Sequence, residues 1–338
     1  MELAFSSDQR DLFDGFELFF SGESGPAVVR RAEPLGHDAD LWRRLDAMEL
    51  WGSGASVADL AVIAEAFGRS IAPVPFVEHA VASPYAAGLA GGLGHGIATI
   101  SLRPADDNGV WRLVPAGAVA DVVVGVDRDE LVAVRSAPPG TGPLNHASAP
   151  LADRDSRHGE RTVLGASCAI APLLAQWKVL TAAALVGVAS KALELAVDYV
   201  KERHQFGVPI GSFQAVQHGL ADLPGSIDGA RLLTHEAAAS VDGGGTGRCD
   251  IAHNEIDDPL ALASMAFLFA SDVAAHATER SLHFHGGYGF AEEYDIQLYY
   301  RRARGWALIH GAPAVEYLDL ADRFWPPAAA PHESREHW

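Results

Sequence analysis

The sequence predicts a mainly α-helical protein with a small strand-rich domain in the middle, and three observations carry that expectation. Residues 171–200 (APLLAQWKVLTAAALVGVASKALELAVDYV) are apolar on almost every face with Ala and Gly spread through them, the pattern of a helix buried in a bundle. Residues 8–90 carry apolar side chains at helical spacing, as in DLFDGFELFF and LAVIAEAFGRSIA, with Gly and Pro between the runs. From about residue 94 the period changes to short β-type runs, GIATISL, WRLVPAG, DVVVGV and ELVAVR, separated by Asp, Asn and Gly turns.

In chain order this divides into an N-terminal helical domain over 1–92, a reduced β-strand domain with its linker over 93–164, a C-terminal four-helix bundle over 165–325 and a tail over 326–338 expected to be disordered. Residues 136–160 are rich in Pro, Ser and Asp and read as loop or linker, and 242–258 as a polar loop interrupting the bundle. No internal repeat is visible.

Three segments of the bundle stand out. In 199–223 (YVKERHQFGVPIGSFQAVQHGLADL) the residues Lys201, Glu202 and Arg203 end the long helix, Phe206-Gly207 and Pro209 break the chain, and Ser212 is a candidate N-cap for a helix from Phe213. Pro224-Gly225 then predicts a break with a restart at Ser226, because a proline inside a helix removes a hydrogen bond and kinks it. At 281–290 (SLHFHGGYGF), after a helical pattern at 259–280, Gly286 and Gly287 allow a backbone to approach something bulky or charged. At 299–318 (YYRRARGWALIHGAPAVEYL) a short basic helix runs into His310-Gly311, and a new helix starts after Pro313.

Composition narrows the partners. A chain of 338 residues that is 49% hydrophobic can bury more than one core, and no apolar run is read as long enough to span a membrane, so a soluble protein is expected. The formal charge of −19 speaks against nucleic acid or an anionic membrane, since both need a basic face. A phosphate-bearing ligand must therefore meet local positive charge, for which Arg203 and the Arg301, Arg302, Arg304 cluster are the sources. No charged-then-apolar leader precedes Phe5, and Cys168 and Cys249 suggest no disulfide framework, so a reducing cytoplasm is expected.

The three bundle segments, in this order and near these spacings, closely resemble the C-terminal domain of the acyl-CoA dehydrogenase family. FSSDQRDLFDGFELFF resembles that family's opening helix and ADLAVIAEAFGRSIAPVPFVEHA its second helical hairpin. The resemblance covers roughly residues 3–80 and 165–324 and fails in between. It implies an acyl-CoA dehydrogenase-like fold, FAD as cofactor and α,β-dehydrogenation of an acyl-CoA thioester, with a carboxylate base, flavin contacts and a CoA channel supplied by the protein.

Carried over residue by residue, the resemblance puts Arg203, before the Phe206-Gly207 turn, and Gln214 where family members reach across a dimer interface to the pyrophosphate and adenosine side of a neighbour's FAD. A guanidinium suits that task because it stays charged and offers paired donors to phosphate oxygens. The bland alternative is an arginine favoured at a helix C-terminus by the dipole. The family's Gln-x-x-Gly-Gly turn becomes His283-Phe284-His285-Gly286-Gly287, keeping the glycines and losing the glutamine. A metal site built on His283 and His285 is not expected, since no third ligand stands nearby.

The base is missing from both places where the family keeps it. His310, followed by Gly311 and Ala312, stands where the usual Glu-Gly-Thr turn has its glutamate, and Trp177 stands where some relatives carry the base on the long helix. A neutral imidazole could accept a proton, yet nothing in residues 81–165 resembles the family's stretch that lines the flavin ring and thioester. No catalytic residue is therefore expected on this chain. The resemblance narrows to the short non-catalytic subunit of actinobacterial α2β2 acyl-CoA dehydrogenases, some acting on sterol side-chain thioesters, with a longer catalytic subunit that carries the base and flavin ring and binds most of the acyl-CoA. Two alternatives stay open: a self-sufficient homomeric enzyme using His310 as acid/base in another reaction, and a scaffold that binds neither flavin nor CoA.

Overall fold

The computed structural model describes residues 6–52, 54–86, 89, 91–243 and 258–325. The helices α1 (Ser7–Glu23), α2 (Pro26–Ala32), α3 (Ala39–Asp46), α4 (Val57–Ser70) and α5 (Phe76–Ala86) open the chain. A capping box starts α1: the Ser6 hydroxyl accepts from the Gln9 backbone N–H, and the Gln9 side chain accepts from the Ser6 N–H.

The period-two region folds into β1 (Ala98–Ile100), β2 (Val110–Val114), β3 (Val122–Asp127), β4 (Glu130–Arg135), β5 (Ala152–Asp155) and β6 (Glu160–Ala166). One sheet has the order β1-β3-β4-β6, with β1 parallel to β3 and the other pairs antiparallel; β2 and β5 form a second, antiparallel pair. Trp111, Val114, Val123, Val132 and Val134 make a small core of their own. The segment 136–160, expected to be a linker, contains β5 and the first residue of β6. Its polar composition conceals the reason: Arg154 is buried and donates to the carbonyls of Gly117, Ala120 and Ser136, which pins the segment against the sheet.

The bundle consists of α6 (Ala171–Glu202), α7 (Gln214–Ala221), α8 (Leu223–Gly243), α9 (Pro259–Phe284), α10 (Ile296–Leu308) and α11 (Pro313–Phe324), with a small hairpin of β7 (His204–Gln205) and β8 (Val208–Pro209) between α6 and α7. Helices α6, α8, α9 and α10 are the four that pack on one another, and α4 packs along α6. That approach is close enough to require glycine on both sides. A Cβ on Gly68 would lie 1.9 Å from the Ala184 carbonyl oxygen, and one on Gly187 would lie 2.1 Å from that of Glu65. One continuous apolar core runs from α1 through the β1-β3-β4 face into the bundle.

Four expectations need correction. Ser212 does not cap α7: its hydroxyl donates to the Pro209 carbonyl, and α7 starts at Gln214 after Phe213. The restart comes at Leu223 rather than Ser226, because Pro224 fits the first turn of a new helix, where its missing N–H has no partner to lose. Two helices, α6 and α9, are long and apolar enough to cross a membrane, with 72% and 61% of their apolar windows buried in the fold. Cys168 is disulfide-bonded. Cys249, most of the 242–258 loop and the tail after Trp325 lie outside the described residues.

Candidate functional site

The C-terminal end of α6, the hairpin, the first turn of α7 and the end of α9 enclose an open groove of about 460 Å³. Arg203, His283, Gly286 and Gly287 line it, together with Tyr199, Arg280 and Tyr288. The helix ends because Arg203 leaves helical geometry, its N–H still donating to the Tyr199 carbonyl at 2.9 Å. Its guanidinium lies over the Tyr288 ring, 5.3 Å from the centroid, and that of Arg280 lies 5.0 Å from the Phe284 centroid. Among the described residues neither arginine has a carboxylate partner, and no Asp or Glu lines the groove.

The two histidines of the His-x-His turn separate. His283 is exposed on the groove side, while His285 is buried, stacked on Tyr199 at 4.2 Å, with its Nδ1 2.8 Å from the Ser281 carbonyl oxygen. Burial pulls the His285 ring below its usual pKa, so it stands neutral beneath the turn. Among the described residues no cluster of ligating side chains suits a metal. Gly286 adopts a left-handed φ of 61°, and a Cβ on either Gly286 or Gly287 would meet nothing within 4 Å, so the turn's backbone is open to a bound group.

Phe206 and Gln214 lie outside the lining. Phe206 tips the β7-β8 hairpin, where it and Gly207 both take positive φ, 53° and 83°, as a two-residue hairpin turn of this hand demands. The phenyl ring is 93% exposed, touching Phe213 edge-on at 6.2 Å. Gln214 is exposed at the first position of α7, beside Ala215 and Val216 of the lining.

The expected positive cluster on α10 is not available to a ligand. Arg301 and Arg302 both hold Glu33, at 2.8 and 2.6 Å, and Arg304 holds Glu279 at 2.7 Å. Arg280 and Tyr288 are the groove residues that sequence reading missed. Arg280 was legible as the residue one helical turn before His283 on the same face.

The base position is built differently. His310 is mostly enclosed, with Trp177 stacked on its ring at 5.9 Å and Phe267 edge-on at 6.2 Å. Its Nδ1 stands 3.2 Å from a Glu316 carboxylate oxygen, and the other oxygen of Glu316 takes the Lys178 ammonium, which also donates to Ser264 at 2.8 Å. Lys178 and Glu316 are both buried. Burial would raise the Glu316 carboxyl, but Lys178 outweighs it and holds Glu316 below the usual range. Burial, with Lys178 adding to it, brings His310 down to about 4, so the imidazole is neutral at pH 7 and a weak base. Lys178 was legible as a lone charge inside an apolar run, which demands a partner; that the partner is Glu316 was not.

Beside Trp177 and Ile309 lies a cavity of about 60 Å³. It has room for a small group and none for a three-ring flavin head. FAD can thus be tested against this chain in two places. The groove, with two unneutralised guanidiniums and an open glycine turn, suits the charged middle of a dinucleotide. The space next to His310 does not suit the ring.

Residues 165–324 match the family model described as acyl-CoA dehydrogenase, C-terminal domain. The chain is 30% identical over 334 residues to acyl-CoA dehydrogenase IpdE2 of Mycolicibacterium smegmatis, covering 93% of this chain and 98% of that one. Among solved structures it is similar in fold to the ChsE4-ChsE5 complex from Mycobacterium tuberculosis, with TM-score 0.79, 22% identity and coverage of 97% and 100%. It is also similar to a Tcur3481-Tcur3483 steroid ACAD variant, with TM-score 0.76, 24% identity and coverage of 94% and 97%. With a relative at 30% identity along nearly the whole of both sequences and the bundle motifs in their places, the chain belongs to the acyl-CoA dehydrogenase family.

Proposed function

We propose that this chain is the short, non-catalytic subunit of a heteromeric FAD-dependent acyl-CoA dehydrogenase, paired as α2β2 with a longer catalytic chain whose FAD site it completes. The observation that carries the reading is a contrast within one bundle: the groove is open, outward-facing and rich in unpaired positive charge, while the base position is filled by neutral His310 and a buried ion pair. Arg203 and Arg280 would meet the pyrophosphate, the Gly286-Gly287 turn and His283 would accept the adenosine side, and Gln214 and Phe206 would reach the neighbour from the rim. Bound FAD supplies the hydride acceptor for the dehydrogenation; this chain's part is to hold and orient it. His310, near 4, is poorly matched to proton abstraction at neutral pH, which counts against a self-sufficient enzyme built on it.

The names ChsE4-ChsE5 and steroid ACAD describe paired or steroid-directed relatives, and they support a paired assembly acting on a sterol-derived acyl-CoA. The test is Arg203→Ala in the assembled complex, followed by flavin release on dilution. A charge-assisted contact of about 1.5–3 kcal/mol corresponds to roughly 10- to 150-fold faster loss of FAD, with the assembly intact. Unchanged flavin retention would leave a scaffold role instead.

A further inference from the structure

The small cavity is unsuited to a cofactor, yet its wall is chemically specific. It sits where α4, α5, the 147–150 loop, α6 and α10 meet, and most of its lining is apolar: Phe67, Ile71, Val74, Val77 and Trp306. Polar groups of Trp177, Glu78, Ser148, Thr181 and Arg302 interrupt that lining. The Trp177 indole N–H, on a side chain only 1% exposed, is buried without a hydrogen-bond partner among the described residues. Glu78, in the first turn of α5, is deep in the protein yet keeps some accessible surface, which therefore faces the cavity it lines. The indole N–H interacts with the Glu78 carboxyl but falls short of hydrogen-bonding geometry. A buried donor left short of a full hydrogen bond is costly unless a guest supplies an acceptor.

We propose that this cavity is a binding subsite for one small uncharged oxygen-bearing group, a ketone or alcohol oxygen, held by the Trp177 indole N–H and the Glu78 carboxyl. Trp177 can only donate, so the guest must accept. Burial raises the Glu78 carboxyl above its usual range, against its own backbone N–H and Trp177, which favours the protonated form, and that form offers a second donor. Arg302, the other charged side chain in the lining, is occupied by Glu33 at 2.6 Å and does not favour an anion in the cavity. A volume of about 60 Å³ fits a few non-hydrogen atoms, for which weak, millimolar-class affinity is expected. The inference does not depend on the partner-subunit reading, since both residues belong to this chain.

The test is NMR of the indole N–H resonance of Trp177, assigned by its loss in Trp177→Phe, during titration of the full chain with butan-2-one. The expected result is a saturable shift, no shift with cyclopentane or butanoate, affinity lowered about tenfold or more in Glu78→Leu, and binding retained in Glu78→Gln, which keeps a donor. The source of the oxygen is read from a second titration. A shift from 4-oxopentanoyl-CoA at lower concentration than from the free ketone places the group on an acyl chain, and a shift from the free ketone alone makes the site one for small molecules. No saturable shift with butan-2-one, or equal affinity for cyclopentane, overturns the proposal whether or not Glu78→Leu folds.

Discussion

The two ends of the helical bundle have been treated in opposite ways. At the end of α6 the arginines have no carboxylate partner among the described residues, the glycine turn is bare and aromatic side chains stand in solvent. Around the N-terminal half of the same helix, Trp177 and Lys178 are buried against His310, Glu316 and Ser264, and the remaining space is small. An open, unneutralised surface is expensive for a free protein and useful only if something charged covers it. A closed polar cluster is stable in itself and leaves little room for a reacting group to approach His310. Under the proposed function, the difference separates holding a neighbour's cofactor from performing chemistry.

The largest effect that would sharpen this contrast lies in the closed region. Lys178→Ala leaves Glu316 buried without its counter-ion and is expected to cost about 3–5 kcal/mol in denaturant unfolding. The double variant Lys178→Met, Glu316→Leu should recover most of that loss, since a buried pair replaced by apolar residues of similar volume is often neutral. Recovery with turnover of the complex intact would mark the cluster as structural; lost turnover in the recovered variant would give it a chemical role.

Next in size is an effect confined to the open end. Phe206 is 93% exposed at a φ of 53°, so it contributes little to the free chain and its backbone is strained. Phe206→Gly should leave folding stability unchanged or raise it by up to about 1 kcal/mol. The same change should weaken association with the longer chain by about 2 kcal/mol or more, as loss of a buried aromatic anchor does. Calorimetry of the free chain and of its titration with the partner separates the two.

A smaller effect concerns pH. His310 and His79 are both held down to about 4 by burial. Both are neutral in the folded and unfolded chain above pH 6.5 or so. As the pH falls, the unfolded chain takes up protons that the native chain refuses, so stability is lost between about 6.5 and 4. His310→Gln should remove part of that slope, on the order of 2 kcal/mol over the window, and leave the part belonging to His79. An unaltered slope would mean that the His310 ring is more accessible than its packing against Trp177 and Phe267 indicates.

Much of the fold was legible because its signals are local. The all-round apolar run of α6, the glycine turn after α9 and the period-two strands β1 to β4 each announce themselves within a short window. What failed was non-local. The strands β5 and β6 hid in a polar stretch because their order comes from pairing with β2 and β4 and from buried Arg154. The Arg301, Arg302 and Arg304 cluster looked free because Glu33 and Glu279 are distant in sequence from it. In the site, the groove brings Arg203, His283, Gly286 and Gly287 together and leaves Phe206 and Gln214 outside its lining, whereas Glu78 and Glu316 gave no sign of converging on either side of Trp177 and His310.

The most direct measurement is flavin content and acyl-CoA oxidation of this chain purified alone and purified with its longer partner. The account predicts a colourless, inactive chain by itself and a yellow, active complex whose turnover is unchanged by His310→Ala. A chain that binds FAD and turns over alone, and loses that activity with His310→Ala, would contradict it.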